Sequence, residues 1–263
     1  MIKFGMLTNP SLEILNEIRD IRSLGFDFVE IGIEGPQGKP DILIEKRDRI
    51  LNLVNKFNTF AIGHSSYWID LGSDYQNVKE GWIEEAKIII DTADKLGLPL
   101  LNFHANAPGM YGVSEKFEKI ILDNWVESLI QLSEYANKKM VSIMLENMPP
   151  SGICRPKDFD YLLKHVPNLM LHFDIGHAFM AGGMDYVKKF FDFDKKIAHI
   201  HVHDNNGLLD EHLPLGKGKI NFKIVAKILK KINYNRTVTF EVFTSKEDAK
   251  KSMLYFKKLL EKA

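Results

Sequence analysis

The run His199-Ile200-His201-Val202-His203-Asp204-Asn205-Asn206-Gly207, continued by Asp210-Glu211-His212 and Leu215-Gly216-Lys217-Gly218, decides how the rest of the chain reads. Ala198, Ile200 and Val202 alternate with His199, His201 and His203. That period of two sends the apolar side chains to one face of a strand and the imidazoles to the other. The strand then breaks into a polar loop at Asp204. Neutral nitrogen donors and carboxylates gathered at one strand end suit zinc or manganese.

Similar strand-like runs lie at about 2–7, 27–33, 59–64, 100–104, 141–146, 169–174, 197–203 and 237–242, each followed by a segment of helical periodicity. Trp82, Ala86, Ile89, Ala93 and Leu96 draw one apolar helical stripe, and Phe117, Ile121, Trp125, Leu132 and Ala136 draw another. Gly25 and Gly97 fit helix C-terminal caps, Pro156 a first helical turn, and Ser245 with Asp248 a capping box. Strands alternating with helices favour a parallel sheet. Eight such units in 263 residues favour closure into a single-domain (β/α)8 TIM barrel over an open doubly wound sheet. No Gly-x-Gly-x-x-Gly follows the first strand, so neither a dinucleotide nor another organic cofactor is expected.

Lys+Arg and Asp+Glu both number 35, so no global field draws the chain to nucleic acid or an anionic membrane. Cys154 is the only cysteine, which excludes an internal disulfide and a cysteine-based zinc finger and points to a reduced, cytoplasmic setting. The chain opens on the strand-like Ile2-Lys3-Phe4-Gly5-Met6 without a signal-peptide pattern, and no run approaches the ~20 apolar residues of a membrane span.

A barrel enzyme places its site at the C-terminal ends of its strands. That is where the polar residues fall: His64 after the third strand, His104 after the fourth, Glu146 after the fifth, Asp174 with His177 after the sixth, His201 with Asp210 and His212 after the seventh, and Glu241 after the eighth. His172 and His199, two residues before Asp174 and His201, fill barrel layers or orient ligands. Glu30 and Glu34 alternate with Val29, Ile31 and Ile33 and point inward, where a carboxylate needs a partner: metal, substrate or Lys39. His165 suits a solvated last helical turn, and Met180 and Met184 flank Gly182-Gly183 as loop and helix start.

These motifs resemble the xylose-isomerase-like barrels and, among them, the endonuclease IV family of apurinic/apyrimidinic endonucleases, over essentially the whole chain. The resemblance is carried by His64-Ser-Ser-Tyr67-Trp68-Ile-Asp-Leu-Gly72, Leu101-Asn-Phe-His104, Glu146-Asn147, Asp174-x-x-His177, His201-x-x-Asp204, Asp210-x-His212, Leu215-Gly-Lys-Gly218 and Glu241. It implies a first metal on His64, His104 and Glu146. Glu146 bridges to a second, completed by Asp174, His201 and Glu241, and His177, Asp210 and His212 hold a third. Two or three zinc ions, or manganese, are therefore expected, serving a hydrolase that cleaves DNA at abasic sites. Glu146, Glu241, Asp174 and His201 would act directly on the scissile phosphodiester.

The same superfamily contains sugar and sugar-phosphate isomerases and epimerases, which the resemblance ties to a single metal on Glu146, Asp174, His201 and Glu241. In that alternative Glu146 and Glu241 exchange a proton from opposite sides of an open-chain sugar. Ile175-Gly176, His203 and Asn205-Asn206 depart from the nuclease pattern, and Glu30 is closer to the sugar-converting branch. Tyr67 and Trp68 read as a wedge for kinked DNA or as an aromatic wall over a sugar. Glu30, His203 and Lys217 are further candidates for substrate contact, and Lys39, Arg155, Lys157 and Lys219 for phosphate contact. The expected partners are thus abasic DNA or a small sugar or sugar phosphate, with no membrane. Composition leaves the oligomeric state open.

Overall fold

Short parallel strands with β-branched and aromatic residues on their outward faces need a cover, and the helices that connect consecutive strands supply it. In the computed structural model, which describes residues 1–263, β1 (Lys3–Leu7), β2 (Phe28–Ile33), β3 (Ala61–Ser65), β4 (Leu100–His104), β5 (Ser142–Glu146), β6 (Met170–Asp174), β7 (Ile197–Val202) and β8 (Thr237–Phe240) pair in chain order. β8 returns to β1 and closes the barrel. The cover is α1 (Ile14–Ser23), α2 (Pro40–Glu45), α3 (Arg47–Lys56), α4 (Gln76–Lys95), α5 (Glu115–Asn137), α6 (Pro156–His165), α7 (Ile175–Phe190), α8 (Phe222–Lys231) and α9 (Lys246–Lys262). No helix is long and apolar enough to cross a membrane.

The expected caps form. Gly25 and Gly97 hold the positive φ values, 90° and 66°, that follow α1 and α4, a conformation that costs a side chain its Cβ clearance. Ser245 accepts the Asp248 amide at 3.0 Å to start α9. The second unit carries two helices where the alternation predicts one. β7 stops at Val202 and β8 at Phe240, so His203 and Glu241 lie just beyond their strands instead of on them. His165 is exposed in the last turn of α6, and Gly182-Gly183 kink α7.

The apolar stripes of α4 and α5 bury Ala86, Ile90, Ala93, Trp125, Leu129 and Leu132 between the helices and the barrel wall. The isoleucine and the leucines each contribute about 1.5–3 kcal/mol on leaving water. Trp125 also explains Gly72, where a Cβ would lie 2.1 Å from its ring. Register then sets the site. His104 pairs with Glu146 across β4–β5, and Asp174 with His201 across β6–β7, after an irregularity at Leu171/His172.

Candidate metal centre

Inward side chains two residues apart form two tiers inside the barrel. On the lower tier Glu30 is fully buried, and its Oε2 accepts from His199 Nε2 at 3.1 Å and His201 Nε2 at 2.9 Å. His199 is held at its other nitrogen by the Thr237 hydroxyl, 2.7 Å away. Burial opposes ionisation of Glu30, but His201 and His199 outweigh it and hold the carboxyl well below its usual range. Nε2–H of His201 is thereby committed downward. Its Nδ1 is left facing the upper tier, 3.2 Å from Glu241 Oε2, 3.8 Å from Glu146 Oε1 and 3.9 Å from Asp174 Oδ2.

The upper tier brings the predicted donors together. Glu146 lies 3.3 Å from His104 Nε2 and 3.8 Å from His64 Nε2. It accepts from Asn102 Nδ2 at 2.6 Å, while Asn102 Oδ1 takes the Ser65 amide. Asn147 clasps the backbone of Asp174 through two 2.8 Å bonds, and Asp174 caps α7 by accepting the His177 amide. His177 and His212 each lie 3.1 Å from Asp210. Asp204 ties down the Leu215–Gly218 turn by accepting the amides of Gly216, Gly218 and Ile220.

Burial pushes the Glu146 carboxyl up to about 8, opposed by His201 and His177 and reinforced by Glu241 and Asp174. Glu241, equally buried, is pulled below its usual range by His201 and His212. Burial drives His64 down to about 4 and His104 well down, so both rings are neutral donors. No protein group bonds the ring nitrogens of His64, Nδ1 of His104 or Oδ2 of Asp174, all buried. Buried polar atoms are ordinarily paired. Unpartnered imidazole nitrogens converging with three carboxylates fit a divalent cation, and the nitrogen and oxygen donors fit zinc or manganese. His64–Glu146–His201, Glu146–Asp174–His177 and Asp174–His201–Glu241 each bring donor atoms within 4.8 Å of one another.

Above the donors opens a cavity of about 680 Å³. Its walls include Met6, Tyr67, Met148, Val242 and Phe243, with Glu34, Glu146, Asp210 and Glu241 as acids. Its one lysine or arginine, Lys246, is engaged by Glu17 and Asp20.

Several of the predicted contact residues lie away from the cavity. Lys217 is exposed on the turn that folds back onto Asp204 and does not line the cavity. Trp68 packs tilted against Tyr67, ring centroids 4.3 Å apart, but faces a neighbouring groove with Lys39. Arg155 is not a free cation: it pairs with Glu118 and Asp158 and lies over the Tyr111 ring. His203 and Glu30 are wholly buried among the donors and do not line the cavity. Sequence reasoning missed Asn102 as a partner of Glu146 and Phe243, which stacks on His212 at 4.1 Å. Asn102 was in view beside His104, yet an amide on a strand carries no pattern of its own.

Residues 18–259 match the family model of the xylose isomerase-like TIM barrel. The chain belongs to that family. An uncharacterized protein of Methanocaldococcus jannaschii is 40% identical over 99% of this chain and 90% of its own. The crystal structure of a D-tagatose 3-epimerase-like protein superposes with a TM-score of 0.84 at 29% identity, covering 99% of this chain and 97% of that one. Fructoselysine 3-epimerase of Shigella flexneri is 24% identical over 92% of this chain and 91% of its own. A probable endonuclease 4 of Campylobacter hominis is 30% identical, over 71% of each chain.

Proposed function

We propose that this protein is a divalent-metal-dependent epimerase or isomerase of a small uncharged ketose, with its ion on Glu146, Asp174, His201 and Glu241. The observation that carries the reading is the near full-length likeness to an epimerase-like structure, against a shorter match to the nuclease. The cavity supports it. An acid-lined space whose one lysine is already paired offers a phosphate no free lysine or arginine, which favours a neutral sugar over a sugar phosphate.

A bound cation supplies a Lewis acid for the sugar's carbonyl and adjacent hydroxyl oxygens. The chain does the proton work. Glu146 from β5 and Glu241 beyond β8 face the cavity from different walls, so one takes the proton from the carbon beside the carbonyl and the other returns a proton on the opposite face. The carbon inverts with no net gain or loss of atoms. His64 and His104 line the cavity with unbonded ring nitrogens and hold sugar hydroxyls. Tyr67 covers the ring face.

The test is exchange of the carbon-bound proton of D-tagatose, D-fructose or D-psicose in deuterated water by zinc- or manganese-loaded protein. Exchange should fall by about 10²–10⁴-fold in Glu241→Gln. Absence of exchange on all three by protein shown to hold its metal would sink the reading.

Hydrolysis at abasic DNA keeps one observation in its favour: all nine nuclease-type donors are present and face one rim. Nicking of a duplex with one abasic-site analogue, lost in His212→Ala, is the outcome that would restore it.

A further inference from the structure

α4 carries more apolar surface than its neighbours cover. Its stripe predicts burial for Trp82, yet Trp82 is only half-buried, and Val78 and Ile88 on the same helix are exposed. The cause lies in the second βα unit, which answers with two short helices instead of one. Six-residue α2 packs on α4 and leaves part of its flank bare. At Gly81 on that flank a Cβ would meet nothing within 4 Å. The result is an open groove of about 850 Å³ between α2, α4 and the loop after β3.

This groove borders the cavity above the donors. Glu34 lines both spaces. Tyr67 lines the cavity and Trp68 the groove, with their ring centroids 4.3 Å apart, so one aromatic pair runs from the first space into the second. Trp68 is 64% exposed. Ile33, Ile69, Val78 and Ile88 flank the two tryptophans. That lining favours an aryl group over a second sugar ring, whose hydroxyls would leave water for few partners. The charges along the groove are of both signs, Lys39 against Asp41 and Glu85, and form no patch that selects an ion.

We propose that the groove is a second subsite of the active site, which takes an uncharged aryl substituent on the ketose: the sugar sits in the cavity and its substituent passes Glu34 and Tyr67 to lie against Trp68 and Trp82. The inference rests on the epimerase or isomerase reading and extends its substrate class to ketose conjugates. A free ketose fills the cavity alone, whereas a conjugate fills both spaces and gains the contact area of the second.

The experiment compares exchange of the carbon-bound proton in D-fructose and in its 1-O-benzyl and 6-O-benzyl ethers by zinc- or manganese-loaded protein. One ether should exceed D-fructose in kcat/KM by roughly tenfold, the worth of one added aromatic contact. Gly81→Leu fills the bare flank and Trp68→Ala removes a wall, and each should bring that ratio back toward one. Leucine is a better helix former than glycine and the Trp68 side chain is largely in solvent, so both variants should fold. A second arm needs no turnover: titration with the ethers should shift tryptophan emission, because Trp68 and Trp82 line the groove while Trp125, the third tryptophan, is buried in the core. An emission shift without exchange on any sugar would keep the subsite and sink the epimerase reading. No emission shift from either ether, or a ratio unmoved by Gly81→Leu, would overturn the subsite.

Discussion

Glu30 and Glu34 lie four residues apart along β2 and its extension, alternate with the same apolar neighbours, and end in opposite electrostatic states. Glu30, on the barrel floor, receives two histidine N–H groups and stays ionised although no water reaches it. Glu34, on the rim, has no such donor. Burial and then Glu241 push its carboxyl up to about 7. The floor is thus a finished hydrogen-bond network, while the rim is a convergence of donors that the protein alone does not satisfy. Burial of a titratable group says little about its state; the partner decides it.

The largest effect that would break this contrast is expected on the floor. Glu30→Ala leaves His199 and His201 each with an unsatisfied buried N–H, and removing one partner of such a network costs about 3–5 kcal/mol. Urea unfolding of the metal-free protein reads this out, and a loss under 1 kcal/mol would mean that the floor is held by packing alone. The isosteric Glu30→Gln should keep more of the fold while weakening metal binding about 10–100-fold, since His201 loses the acceptor that aims its Nδ1.

The rim should answer to metal instead. Zinc at a hundred times its dissociation constant should stabilise the folded chain by about 2.7 kcal/mol per site, and a chelator should reverse the gain. Should loading leave the melting temperature unchanged while zinc is bound, the rim donors would be satisfied without it and the contrast would fail.

The sequence showed much of this, for definite reasons. Strand alternation and helical stripes are local, so eight βα units and the rim position of His64, His104, Glu146, Asp174, His201 and Glu241 could be read directly. Depth could not. Alternation places His199, His201 and His203 on one face, but the end of β7 at Val202 makes His203 a loop residue under Gly176, a contact 27 positions away that no periodicity encodes. The exposure of Lys217 is likewise invisible to periodicity. Its turn is recruited by Asp204 through three backbone amides, and the lysine is carried out to solvent. The likeness to endonuclease IV named a donor set that the fold brings to one end of the barrel, yet it carried no information about the cavity above.

The smallest expected effect tests Glu34 itself. Its folded pKa of about 7 stands above the ~4.3 of an unfolded glutamate. Below about pH 4 both states hold the proton and the residue costs nothing. Between there and pH 7 the unfolded chain ionises while the fold keeps its proton, so stability falls as pH rises, and above 7 the full penalty stands. Glu34→Gln should therefore match the wild type at pH 4 and exceed it at pH 8 by on the order of 1 kcal/mol, after discounting for solvent at a half-buried site. Equal stabilities at pH 8 would show that Glu34 is solvated. Repeating the comparison with zinc bound separates the two causes: a gain that persists belongs to burial, and a gain that vanishes belongs to the charge on Glu241, which a cation would neutralise.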